Sequence, residues 1–274
     1  MASYFWLAPL GFVIGAYGTL IGAGGGFVLV PLLLLLYPTE SSDVITSISL
    51  AVVFCNALSG SAAYARSKRI DYRAGVLFSI ATIPGAILGA LTTAYIPRHF
   101  FNLLLGLILL IGAGFLLRYP PKEPSEPGDA SEQGATQGLA DASKAQDGGR
   151  QPLPFNLSLG IGLSVVVGYL SSLLGIGGGI IHVPALVHLL NFPAHIATAT
   201  SHFVLAVMAL TGTLVHIATG AFHHGVHRTI ALSLGVLPGA QVGAWLSQRV
   251  RGEWIMRGLA IALGLVGLRL LLSV

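Results

Sequence analysis

Charge is what this 274-residue sequence has least of: Asp, Glu, Lys and Arg together make up 9% of it, against roughly 25% in a soluble globular chain. With 54% hydrophobic residues and a mean hydropathy of +0.81, too few charges remain to cover a water-facing surface, which excludes a soluble enzyme. Low charge also excludes disorder over most of the length, because disordered chains are polar and charge-rich. Cysteine is nearly absent. The single Cys55 sits in an apolar run, so no internal disulfide forms and the redox compartment cannot be read. The start, MASYFWLAPLGF, lacks a basic leader and is expected to be a first membrane segment, not a cleaved signal. Fourteen Lys+Arg against ten Asp+Glu leave a net charge of +4, but the basic residues flank apolar runs as orientation signals do. No nucleic-acid partner is expected. The expected fold is therefore an all-α polytopic membrane protein whose partners are the lipid bilayer and a small solute; whether it forms a homo-oligomer stays open.

Residues 119–154 break the apolar pattern. That stretch holds six of the ten acidic residues and six of the fourteen prolines, and reads as a polar, disordered linker. It divides the chain into a first membrane repeat, 1–118, and a second, 155–274. The two halves repeat one another. Gly22-x-Gly24-Gly25-Gly26-x4-Pro31 returns as Gly175-x-Gly177-Gly178-Gly179-x4-Pro184, an offset of 153. Pro84-Gly85-Ala86-x2-Gly89-Ala90 returns as Pro238-Gly239-Ala240-x2-Gly243-Ala244, an offset of 154.

Each half contains four apolar stretches, 7–36, 44–64, 74–95 and 100–118 in the first and 155–190, 197–221, 229–247 and 254–273 in the second. About 20 apolar residues cross a bilayer as helix, so the last three of each half read as simple spans. The first of each is too long and is cut by its glycine cluster, as a broken or re-entrant helix would be. If it crosses, the repeats lie parallel; if it enters and returns, they are inverted. With the 66–73 loop cytoplasmic, the inverted arrangement places 11 of 14 basic residues on that side and the parallel one 10, a margin too small to decide. The shape of the broken stretches favours inversion.

Non-helical backbone inside a membrane is tolerated where it lines a wet cavity or is buried by protein. A helix restarting there aims free N–H groups and a positive dipole end at whatever lies before it, an arrangement suited to anions. The segments 22–27 and 175–180 are thus expected to face each other and form a binding site through Gly24, Gly25, Gly26, Gly177, Gly178 and Gly179. Close helix packing is the plainer reading of one such cluster; duplication favours the site. Neither cluster completes a nucleotide motif, since Phe27 and Ile180 occupy the last glycine position and no Lys-Ser/Thr follows.

Outside the linker only Glu40, Asp43, Asp71 and Glu253 are acidic, all at or beyond the ends of apolar stretches. A cavity with free amides and no carboxylate favours an anion. Ser49 and Ser201, in the matching runs 46–49 and 198–201, could donate hydroxyls to it. Asn56 and Gln241 are amides within spans, and Asn56 is the better placed. Eight of nine histidines lie in the second half. Of these His202 joins the binding set, and His182 and His202 are candidates for carrying a coupling proton. His223-His224-x2-His227 reads as a polar turn, so no metal or cofactor is expected. The paired PGAxxGA segments read as packing surfaces against the broken helices.

On the paired GxGGGxxxxP segments, the Ala199-Thr200-Ser201 helix start and the paired PGAxxGA segments, the chain resembles the TauE/SafE family of membrane transporters. The resemblance implies a multi-pass protein of the bacterial inner membrane that moves sulfite, a sulfonate such as sulfoacetate, or a related organosulfur anion; the duplicated broken helices point to alternating access about the glycine site, and no Ser/His/Asp spacing points to an enzyme. Two other readings compete. One is a divalent-cation transporter using His182, His188, His202 and the 223–227 loop; the other is a scaffold whose linker recruits a soluble partner.

Overall fold

The computed structural model describes residues 4–118, 157–190, 192–247 and 252–272. The linker read at 119–154 lies outside them. The described residues form ten α-helices and no strand: α1 Leu7–Ile21, α2 Gly26–Leu36, α3 Ser42–Arg66, α4 Tyr72–Thr93, α5 Arg98–Arg118, α6 Leu157–Leu174, α7 Gly179–His188, α8 Ala194–Ala218, α9 Val226–Leu246 and α10 Gly252–Leu272. A short 3₁₀ turn, Ala221–His224, joins α8 to α9. Five helices are long and apolar enough to cross a membrane: those over 42–66, 72–93, 98–115, 195–218 and 226–246. Helix starts follow local chemistry. The side chain of Ser41 accepts the Val44 N–H at 3.3 Å, and that of Asp71 accepts the Ala74 N–H at 3.0 Å, each satisfying an orphan donor of the first turn.

The glycine clusters interrupt both first stretches. α1 stops at Ile21 and α2 starts at Gly26; α6 stops at Leu174 and α7 starts at Gly179. Gly22, Gly24, Gly25, Gly175, Gly177 and Gly178 all have positive φ, between 52° and 80°, which only glycine adopts without strain. The chain then doubles back. A Cβ on Gly18 would lie 2.3 Å from the Gly25 nitrogen, and one on Gly25 would lie 2.9 Å from the Ile14 carbonyl oxygen. Tyr4, ahead of α1, and Tyr37, just past α2, both lie against Arg228, so this stretch enters and leaves at one end of the molecule.

Packing exchanges elements between the halves. α1 lies along α9, α4 along α6, and α5 along α10, while α3 and α8 meet at the centre. The PGAxxGA segments make the first two contacts. A Cβ on Gly89 would sit 2.3 Å from the Tyr169 carbonyl oxygen of α6, and one on Gly239 would sit 2.3 Å from the Phe12 oxygen of α1. These glycines are therefore the contact surface against the broken helices. α3 and α8 run antiparallel: Asp43 at the start of α3 is 3.0 Å from His216 in the last turn of α8, and the rings of Tyr64, near the end of α3, and His202, near the start of α8, are 5.7 Å apart. Outward faces carry Ile80, Ile111, Leu214 and Leu234, each more than half exposed, as a lipid-facing surface requires.

Candidate functional site

The two breaks meet. A Cβ on Gly26 would fall 2.6 Å from the Gly175 carbonyl oxygen, and one on Gly179 would fall 2.5 Å from that of Gly22. Gly24 and Gly177 both contact Val53 in the middle of α3, and Gly24 also reaches Leu205 of α8. Thr46 and Thr198, at matching places in the halves, close over Gly175 and Gly22 respectively. The facing glycine segments expected from the duplicated motif are thus brought together, at contact distance and not across a wide chamber. At each restart the early amides are only partly used. Val28 and Leu29 N–H both donate to Gly25 O, whereas among the described residues Gly26 and Phe27 N–H have no backbone acceptor. In α7, Ile181 and His182 N–H donate to Gly178 O, and Ile180 N–H is left likewise.

What lies before each restart differs. The start of α7 opens on a small cavity of about 10 Å³, close to the space one water needs. Thr82, His182 and Ser201 stand around it with Gly178 and Gly179, and Val167, Val204, Leu205 and Met208 complete the wall; the surface open to the cavity is apolar in this conformation. His182 is 2% exposed; its Nδ1 is 3.3 Å from Ser201 Oγ, and its Nε2 has no hydrogen-bond partner among the described residues. Phe78 packs edge-on against the imidazole, with centroids 5.9 Å apart, and holds its plane. Thr82 Oγ1 donates to Ser79 O at 2.7 Å, which leaves its lone pairs as acceptors. None of the residues lining this cavity is a carboxylate. At the start of α2 the counterparts of Val167, His182, Val204 and Thr82 are Ile14, Leu29, Val52 and Val236, which belong to one apolar core, while those of Ser201 and Met208 are Ser49 and Asn56. The sequence led to one site with both glycine clusters and both helix starts aimed at it; the cavity is lined by Gly178 and Gly179 of the second cluster and by no residue of the first.

The other candidate residues divide by what holds them. Ser49 Oγ donates to Gly175 O at 2.6 Å, so its one proton holds the opposite break together. Thr19 Oγ1 donates to Asn56 Oδ1 at 3.0 Å and lies 3.4 Å from His202 Nε2, while Tyr64 Oη donates to Thr19 O at 2.8 Å. Asn56 and His202 therefore belong to a second buried polar cluster, against the end of α1. Gln241 is tied to Ser59, donating to its carbonyl at 2.7 Å and its hydroxyl at 2.9 Å. Ser201 and His202 are successive residues of α8 and serve the two clusters separately. The sequence reading missed Thr82, Thr19 and Tyr64. A position-by-position comparison of the halves would have found Thr82, because Val236 stands at its counterpart, as Leu29 does at that of His182. Among the described residues no three His, Cys, Asp or Glu side chains gather where they could hold a metal ion.

The family model described as "Sulfite exporter TauE/SafE" matches residues 7–270. The chain is 31% identical to a probable membrane transporter protein, YunE, of Bacillus subtilis, over 98% of this chain and 97% of that protein. It is 23% identical to a probable membrane transporter protein of Methanocaldococcus jannaschii over 97% of this chain and 94% of the relative. A probable membrane transporter protein of Xylella fastidiosa is 26% identical over 88% of this chain and 82% of its own length. No solved structure matches the chain.

Proposed function

The chain belongs to the sulfite exporter TauE/SafE family of membrane transporters, and from that premise we propose that it is a secondary transporter moving a small sulfur-containing oxyanion, such as sulfite or a sulfonate, across the bacterial inner membrane by alternating access. The observation that carries the anion reading is the start of α7: Thr82, His182 and Ser201 gather around Gly178 and Gly179 at the positive helix end, with no carboxylate in the lining. A cation would find no counter-charge there. An oxyanion would accept a hydrogen bond from His182 Nε2–H when Ser201 donates to Nδ1, or from the Ser201 hydroxyl when Nδ1–H donates to Ser201, one of the two at a time with a neutral imidazole. The cavity is too small for sulfite with its oxygens, so in this reading the conformation described is an occluded one, and the site widens as the halves move apart. The exchanged packing, the doubled-back first stretch and antiparallel α3 and α8 support two inverted repeats rocking about the facing glycines.

The test is uptake by the purified chain in proteoliposomes, with sulfite, sulfoacetate, thiosulfate and sulfate compared. Gly178→Val places a branched side chain at φ 52°, against Ser171 Oγ at 3.0 Å, directly before the α7 amides. It should reduce uptake by roughly tenfold or more while the protein still elutes as a single folded species. Equal indifference of the wild-type chain to all four anions would defeat the substrate reading.

A further inference from the structure

The end of the molecule away from the 66–73 loop is fastened by side chains from opposite halves. Glu40 Oε1 lies 2.6 Å from Arg228 Nη2, and the Arg228 guanidinium stacks 4.1 Å above the Tyr37 ring. Arg98 donates to the carbonyl oxygens of Glu40 and Leu34 and so fixes the segment that carries Glu40. Beside them Asp43 Oδ1 lies 3.0 Å from His216 Nδ1. His216 is fully buried, whereas the Asp43 side chain keeps 21% of its surface exposed although Oδ1 itself is sealed. Asp43 therefore stands between solvent and a buried imidazole; Asp43 Oδ1 and both His216 ring nitrogens lack an aligned hydrogen-bond partner among the described residues, so the 3.0 Å approach is a pairing of charge and not a hydrogen bond in this conformation.

These two contacts differ in kind. A carboxylate–guanidinium pair stays charged across the physiological range. A carboxylate–imidazole pair holds its full attraction only while the imidazole carries its second proton. We propose that Asp43 and His216 form a proton-binding site, and that the bound proton latches the two halves of the molecule at this end. Asp43 brings the proton in from solvent and His216 keeps it. The other titratable or charged groups on the surrounding elements are Tyr37 and Glu40 ahead of α3, Arg98 of α5, His223 and His224 of the 3₁₀ turn, and His227 and Arg228 of α9. Glu40 and Arg228 pair with each other, and the three loop histidines are exposed. At an offset of 152 the counterparts of Asp43 and His216 are His195 and Tyr64, and the Tyr64 hydroxyl is given to Thr19 O. The sign follows from the charges: the protonated pair attracts and the latch holds, and loss of the proton at higher pH loosens it.

Amide hydrogen exchange on the full chain in lipid nanodiscs tests this without reference to any transported solute. After correction for intrinsic exchange, peptides covering 37–48 should exchange roughly threefold or more faster at about pH 7.5 than at about pH 5.5. His216→Gln should remove that difference, and Asp43→Asn, which keeps the size of the side chain, should remove it too. A pH response unchanged in both variants, or absent from the wild-type chain, overturns the proposal. The second arm rests on the transporter reading: sulfite or sulfonate counterflow should rise over the same pH interval in the wild type and lose that rise in His216→Gln. A rise that survives in His216→Gln also overturns the proposal. If no sulfur anion crosses at any pH, the substrate reading falls, and the exchange measurement still decides the proton site.

Discussion

Ser49 and Ser201 occupy matching places in the two halves, yet their hydroxyls do different work. Ser49 donates to the carbonyl of Gly175 at 2.6 Å, where both groups are buried, whereas Ser201 lines the cavity beside His182. Removing a partner from a buried carbonyl costs about 1–3 kcal/mol. Ser49→Ala should therefore lower unfolding stability by that amount in a detergent melt, through loosening of the α6–α7 break. Ser201→Ala leaves no backbone group unpaired but takes the hydrogen-bond partner from the buried His182 Nδ1; it too should cost about 1–3 kcal/mol in the melt, and it should in addition lower anion uptake several-fold or more in protein that remains folded. A result in which the two variants behave alike in uptake would remove the distinction between holding the break and lining the cavity. The repeat made both serines visible in the sequence. It could not separate them, because the difference depends on which distant group each hydroxyl meets.

At the level of helices, the glycines of α4 and α9 decide how closely the broken stretches can be held. Gly89 faces the Tyr169 carbonyl and Gly239 the Phe12 carbonyl, each with 2.3 Å where a Cβ would stand. Backbone cannot yield as a flexible side chain would. Gly89→Ala and Gly239→Ala should each destabilise the protein by about 1–3 kcal/mol. Gly112→Ala, on α5, where a Cβ would meet nothing within 4 Å, should be neutral or slightly favourable. Thermal unfolding of the three variants checks the set, and a neutral Gly89→Ala would show that α4 and α6 are not in backbone contact. The packing role of PGAxxGA could be read from its composition. The helices it touches could not, since α4 pairs with a helix of the other half.

Over the whole molecule, the arrangement of the halves follows from where the ends of the first broken stretch lie. Tyr4 and Tyr37 share Arg228, and α3 and α8 run antiparallel, so the loops at 37–41 and 219–225 belong to one end and the 66–73 loop to the other. In a Cys55→Ser background, a membrane-impermeant maleimide should label Thr39→Cys and Gly220→Cys from one side of the membrane and Ser67→Cys from the opposite side. A parallel arrangement would instead place positions 220 and 67 together and 39 across from them. Counting basic residues could not decide this, because 11 against 10 of 14 is a difference of one side chain.

Composition and periodicity alone determined that the chain is helical, built for a membrane and internally duplicated, because the bilayer imposes its length and polarity on every segment without regard to neighbours. They also located the interruptions, since glycine in an over-long apolar stretch is a local property of the chain. Only the tertiary structure decided that His182, Thr82 and Ser201 gather around Gly178 and Gly179, while Ile14, Leu29, Val52 and Val236 pack in the apolar core. It alone brought Asp43 to His216 from 173 residues away. Those outcomes depend on which side chains converge from separate helices, and a repeat records the matching positions without recording what each will touch.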